Sequence, residues 1–274
     1  MVVEVKGIPI RLHERGSGRP LLLVHGWSAD HRYLCADLDP VLDRRGGWRR
    51  VAFDLPGHGE TPAPDWLGTQ AQMLELVAAV GQRAFDDAPY AVAGNSYGGY
   101  LALGLLRTHP ERLLGAALLV PDVPGDDNTR DVADPVVIHP DPAVFDDLAD
   151  DETWIPAALP APERRMLDEI RTWDMPAYRA CDRAFLTRLD RAYPHRGPAA
   201  DGSRPFPAPS LLVAGRQDGT VGWRRQLALA GELVRGTIAV VDLGGHHVGR
   251  IERPGLFGAL VDDWLARIEQ EERP

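Results

Sequence analysis

The sequence predicts an α/β protein: a mostly parallel central sheet with helices on both faces, plus an inserted, mainly helical lid. Three observations carry that expectation. Short strand-like runs alternate with segments of helical periodicity, and polar or glycine-rich loops follow the strands. The alternation stops between Asp122 and Pro209, where thirteen of the 24 prolines fall, and resumes at Ser210. The 274 residues, 44% of them hydrophobic, suffice for one sizeable core. Residues 1–121 and 210–274 are therefore assigned to the core and 122–209 to the lid.

Val2 to Val5 and Ile8 to Leu12 read as a hairpin broken at Gly7. Leu21 to Val24 is a fully apolar run of the kind that fills the middle of a parallel sheet, and it ends in His25-Gly26-Trp27. A helix is expected over Asp30 to Arg45, distorted or shortened at Pro40. Arg49 to Asp54 is the next strand, running into Leu55-Pro56-Gly57-His58-Gly59, and Thr69 is a plausible N-cap for a helix to Phe85. The strand from Tyr90 precedes a helix ended by His109-Pro110, and Leu113 to Val120 is another buried strand. Within the lid, Ala161 to Thr172 and Ala177 to Arg191 read as short amphipathic helices. Ser210 to Gly215 and Thr237 to Leu243 are the last strands, with a helix from Val221 to Leu233 between them and a closing helix from Pro254.

The formal net charge of −10 argues against nucleic acid as a partner, which would call for a clustered basic surface. Eleven acidic residues against one basic lie between Asp122 and Glu152, read as a solvated acidic face or as a rim that disfavours anionic ligands. No apolar run is long enough for a membrane span, and Glu4, Lys6 and Pro9 interrupt the start where a signal peptide would be apolar. A cytoplasmic location without membrane association is expected. Cys35 and Cys181 lack the spacing of a metal or dithiol site, and the histidines show no ligand pattern. No metal or organic cofactor is implied, and the sequence carries no sign of oligomeric state.

The chemistry centres on Gly94-Asn95-Ser96-Tyr97-Gly98, a G-x-S-x-G nucleophile elbow between a strand and a helix. A serine hydroxyl needs a base to take its proton, and the base needs an orienting carboxylate, in the chain order Ser, acid, His. Asp218 and the pair His246-His247 follow successive strands after Ser96 and satisfy that order. In such sheets the loops beyond the strands' carboxyl ends converge on one site. The backbone NH of Tyr97 is one oxyanion donor that the elbow supplies.

These pieces together resemble the α/β-hydrolase fold superfamily, in its serine hydrolase branch: HGW at His25 to Trp27, DLPGHG at Asp54 to Gly59, GNSYGG at Gly94 to Gly99, GRQD at Gly215 to Asp218, and HVGRIERP at His247 to Pro254. The resemblance covers nearly the full length outside the lid. It implies a Ser96, Asp218, His247 triad, because members often read G-H-x-x-x-x-E-x-P and only His247 has Glu252 and Pro254 at those distances. His246 then stands where many relatives have a small residue. Asp122 is the competing acid, after the preceding strand, and the GRQD match favours Asp218. The second oxyanion donor implied is the backbone NH of Trp27.

The expected reaction is cleavage of a carboxylic ester or lactone of a small, largely apolar substrate through an acyl-enzyme. Trp27, Tyr97, Trp154, Trp173, Tyr178 and Phe185 are candidate pocket residues, with ordinary packing as the alternative. Perhydrolases and carbon–carbon bond hydrolases of ring-cleavage products share the nucleophile. GNSYGG resembles the latter's elbow, but HGWSAD stands where their glycine-rich oxyanion loop is usual. A low-turnover ligand-binding protein on the same fold is the reading from another class.

Overall fold

In the computed structural model, which describes residues 1–123, 132, 134, 136–139, 141–191 and 204–271, the chain begins as the expected hairpin. Strands β1 (Val2–Val5) and β2 (Ile8–Arg15) pair antiparallel across a two-residue turn. Lys6 and Gly7 both have positive φ there (50° and 79°), the twist that matches two antiparallel strands. β3 (Arg19–Val24), β4 (Trp48–Phe53), β5 (Tyr90–Asn95), β6 (Leu113–Leu119), β7 (Phe206–Gly215) and β8 (Leu233–Val241) complete an eight-stranded sheet in the order β1-β2-β4-β3-β5-β6-β7-β8. Every pairing from β4 to β8 is parallel.

Helices α1 (His31–Arg45) and α8 (Pro254–Glu271) cover one face, and α2 (Gln70–Phe85) and α3 (Tyr97–Thr108) the other. Alternation along each strand sorts its side chains between them: Leu22 and Val24 pack with α2 and α3, whereas Leu21 and Leu23 pack with α1 and α8. Each such buried leucine contributes about 2 kcal/mol of hydrophobic stabilisation. Thr69 does cap α2, in a reciprocal capping box with Gln72. Pro40 does not end α1, which continues to Arg45.

Between β6 and β7 lie α4 (Ile155–Ala158), α5 (Arg164–Ala180) and α6 (Arg183–Arg191). They depart from the expected pattern in one respect. α5 runs on through Pro176, and the break falls at Cys181 and Asp182, where the Asp182 carboxylate caps α6 through the amide of Phe185 (2.9 Å). β7 begins at Phe206, which pairs with Leu233, so the sheet claims residues assigned to the lid. The helix expected over Val221 to Leu233 shrinks to α7 (Arg224–Leu227) and one further turn.

Asp147, Asp151 and Glu152 do not form a bare acidic face. Arg164, Arg171 and Arg179, projecting from α5, pair with them at 2.7–2.8 Å. Among the described residues, no helix is long and apolar enough to cross a membrane.

Candidate active site

The elbow joins β5 to α3 so tightly that Ser96 adopts φ 53° and ψ −116°, a conformation that L side chains rarely take. Its glycines are there for close approach. A Cβ at Gly98 would lie 2.0 Å from the carbonyl oxygen of Val24, and one at Gly94 would lie 2.1 Å from the carbonyl oxygen of Gly98. The Ser96 carbonyl accepts from the amides of Tyr100 (3.0 Å) and Asp122 (3.1 Å), locking helix and elbow to the end of β6. Asp122 is thus buried beside the elbow.

Asp218 and the two histidines come from the loops after β7 and β8. Those loops are tied together by Gln217, whose amide donates to the Gly244 carbonyl (2.9 Å) and whose Oε1 accepts from the Gly244 amide (3.2 Å). Asp218 is 3% exposed and fully engaged: Oδ1 accepts the amides of Thr220 (2.7 Å) and Val221 (3.0 Å), and Oδ2 lies 3.0 Å from Nδ1 of His246. Burial alone would raise the Asp218 pKa, but the His246 imidazole and the two amides outweigh it, so the carboxyl is held below its usual range.

The imidazole that meets Asp218 is therefore His246, not His247, the residue that the resemblance implies for the triad. His247 turns the other way, with Nδ1 3.4 Å from the Tyr33 hydroxyl and 3.8 Å from Asp174. Burial, reinforced by His246 and Arg250, pushes its pKa down to about 3, so it is neutral. Glu252 accepts the amide of Gly245 with both oxygens (2.9 and 2.8 Å) and so anchors the loop just before His246.

The HGW and DLPGHG segments brace one another. His25 Nδ1 bonds the Gly26 carbonyl (2.7 Å) while Nε2 accepts the Leu55 amide (2.9 Å). His58 Nδ1 bonds the Pro56 carbonyl (3.0 Å) while Nε2 accepts the Ser28 amide (3.2 Å). Those partners fix one tautomer for each ring. Burial drives both pKa values down, that of His58 to about 3. Asp54 accepts from the His31 amide and ring (both 2.8 Å) and from the Glu60 amide (2.9 Å), a turn-holding role.

A cavity of about 520 Å³ lies at these loops, lined by Ser96, His246, His247 and Asp122 and by insertion residues that include Trp154 and Tyr178. Trp27 and Tyr97 also line it, their rings edge to face at 5.0 Å, with the Tyr97 hydroxyl bonded to Gln70 (2.6 Å). Two expected pocket residues lie elsewhere. Phe185 is buried against Gly57, where a Cβ would sit 2.4 Å from its ring, and Trp173 borders a separate hollow near His13 and His31. Asp174 and Tyr33 had no motif to flag them, and Gln217 lies inside GRQD without a role of its own there; their importance comes from contacts between distant elements.

Among the described residues one donor set could suit a metal ion: His13, His31 and Asp54, with ligand atoms within 4.8 Å of one another. The imidazoles stack face to face at 3.5 Å and 9°, so their lone pairs run parallel instead of converging. His31 is also already bonded to Asp54. The arrangement fits a braced turn better than a coordination sphere.

Residues 19–254 match the sequence pattern of the alpha/beta hydrolase fold family, and the chain belongs to that family. The 2-hydroxymuconate semialdehyde hydrolase of Pseudomonas sp. strain CF600 is 26% identical over 96% of this chain and 92% of its own length. The dihydrolipoyllysine-residue acetyltransferase component of the acetoin cleaving system of Cupriavidus necator is 37% identical over 43% of this chain, a match that spans 31% of that protein. A pimeloyl-[acyl-carrier protein] methyl ester esterase of Neisseria meningitidis is 36% identical over 36% of this chain and 35% of its own length. Among solved structures, an alpha/beta superfamily hydrolase from Oenococcus oeni PSU-1 superimposes with a TM-score of 0.86 at 22% identity, over 98% of this chain and 99% of that one.

Proposed function

We propose that this protein is a Ser-His-Asp hydrolase that cleaves a carboxylic ester or lactone through an acyl-enzyme. The observation that carries the reading is the 3.0 Å pairing of buried Asp218 with His246, on the same cavity as the strained Ser96. In this mechanism Asp218 holds the Nδ1–H tautomer, leaving Nε2 to take the Ser96 proton as the hydroxyl attacks the acyl carbonyl. The oxyanion is held by the backbone NH groups of Tyr97, first residue of α3, and Trp27, in the loop braced by His25 and His58. His246 returns the proton to the leaving alkoxide, and water then hydrolyses the acyl-enzyme by the same steps. The insertion α4 to α6 acts as a lid, and its contribution of Trp154 and Tyr178 to the cavity wall supports that role.

A fluorophosphonate probe tests the reading: labelling at Ser96, absent in Ser96→Ala, is expected together with hydrolysis of p-nitrophenyl esters. An intact protein that is not labelled removes the activated nucleophile and leaves a ligand-binding protein on this fold.

Carbon–carbon bond hydrolysis is the second reading, favoured by the near full-length similarity to a 2-hydroxymuconate semialdehyde hydrolase. Turnover of a vinylogous diketo acid faster than of p-nitrophenyl esters would select it.

A further inference from the structure

Beyond Ser96 and His246, one end of the cavity carries buried polar atoms that the chemistry above does not use. Asp174, from α5, is 8% exposed, and neither of its carboxyl oxygens has a hydrogen-bond partner among the described residues. The same holds for Nε2 of His247, which is 6% exposed, and for the indole Nε1 of Trp154. All three residues line the cavity, and the rings of Trp154 and His247 lie 6.2 Å apart. A buried polar atom without a partner is costly to leave so, and three neighbouring residues that share that condition on one cavity wall point to a ligand group.

The chemistry of the cluster narrows that group. Trp154 Nε1 can only donate, Asp174 offers an acceptor oxygen and, when protonated, an O–H donor, and His247 can do either according to its tautomer. A hydroxyl both gives and takes a hydrogen bond and so matches the set. The neighbouring charges favour a neutral group. Arg250 lies 3.8 Å from Asp174 and repels a cation, while its own Nη1 and Nε are taken by Asp37 (3.0 Å) and Glu169 (3.2 Å), which disfavour an anion. Burial holds Asp174 largely protonated near neutrality, with its pKa raised to about 8.

Position assigns the hydroxyl to one half of the substrate. His246 protonates the leaving oxygen, so the alcohol half lies against that ring. The next ring along the wall is His247, at 5.9 Å.

We infer that Asp174, His247 and Trp154 form a subsite for a hydroxyl on the leaving alcohol, so that the preferred substrates are monoesters of small diols or polyols. This inference rests on the ester-hydrolase reading of the site.

The test compares kcat/KM for 2-hydroxyethyl butyrate, propyl butyrate, butyryloxyacetate and butyrylcholine in wild type, Asp174→Leu, Asp174→Asn and Trp154→Phe. The wild type is expected to prefer the hydroxyethyl ester over the near-isosteric propyl ester by about tenfold to a hundredfold. Trp154→Phe, which removes one donor, should reduce that ratio about tenfold, and so should Asp174→Leu if it folds; Asp174→Asn should retain part of it. A wild-type ratio near one, a preference for the anionic or cationic ester, or ratios unchanged in Trp154→Phe would overturn the subsite. So would Ser96 labelling by fluorophosphonate without turnover of any of the four esters. Absence of both labelling and turnover would instead overturn the hydrolase reading on which the subsite depends.

Discussion

Replacing Asp218 with Asn separates a catalytic pairing from a structural one. The side-chain carbonyl of Asn can keep the amides of Thr220 and Val221 that Oδ1 now accepts, so the turn after β7 is preserved. The other end of the side chain changes from acceptor to NH2 donor and faces His246 Nδ1, 3.0 Å away in the wild type. Nδ1 must then accept, and the proton moves to Nε2, the nitrogen left to serve Ser96. An imidazole in that tautomer cannot take a proton from the serine. The cost of the wrong tautomer is about 10⁴ in kcat, or about 5 kcal/mol in the barrier, whereas loss of one orienting neutral hydrogen bond costs about tenfold. Steady-state kinetics on p-nitrophenyl acetate, with urea midpoints as a folding control, distinguish the two. His246→Ala should lose about 10⁴ to 10⁶ in kcat, while His247→Ala should stay within about a hundredfold of wild type. An Asp218→Asn enzyme within tenfold of wild type, or a well-folded His247→Ala as inactive as His246→Ala, would refute the pairing.

Three further outcomes follow from the same geometry. The folded state holds His58 at a pKa of about 3, against 6.5 for an ordinary histidine, so the unfolded chain binds its proton first. This stability is complete above pH 6.5 and is lost as pH falls toward 3, about 2 kcal/mol of it by pH 5; urea unfolding at pH 7.5 and 5.0 should show His58→Gln losing that much less than wild type. Glu252 behaves oppositely. Burial raises its pKa to about 8, so the fold retains a proton that the unfolded chain releases above about pH 4.5, and stability drains away as pH rises toward 8. Glu252→Gln keeps an acceptor for the Gly245 amide and should gain stability relative to wild type between pH 5 and 9, with a flat difference counting against the assignment. Ser96→Gly should abolish turnover yet raise stability by about 1 kcal/mol in urea, because glycine tolerates φ 53° and ψ −116°; no gain would mean that the elbow is not strained.

Much of the fold was legible because its signals are local. Thr69 and Gln72 cap α2 within one turn, the Lys6-Gly7 turn is set by its own backbone, and the elbow glycines sit two residues either side of Ser96. Signals that depend on another element were misread. The sequence reads one helix ending at Thr172 and another beginning at Ala177, yet α5 runs unbroken across that gap, with Met166, Leu167, Ile170 and Met175 buried on one face. Asp147, Asp151 and Glu152 read as unbalanced charge until α5 brings its arginines across. Trp173 and Phe185 have the composition of a pocket wall, but the orientation of their helices sends them elsewhere.

The histidine doublet shows how the fold sends two adjacent imidazoles to different partners, which spacing along the chain does not reveal. Counting from Glu252 assumes that the chain between it and the imidazole keeps one regular course. Here Val248–Glu252 is a distorted helical turn in which Gly249 has a non-helical ψ of −125°, and the Glu252 carboxylate reaches back over it to the amide of Gly245. That bond clamps the residue immediately before His246, while Gln217 clamps Gly244 to the loop that carries Asp218. With both neighbours fixed, the first ring after the clamp is the one presented to Asp218, and the second is carried onward to Tyr33 and Asp174. The same pair of clamps that puts His246 on Asp218 therefore also sets His247 on the cavity's polar wall.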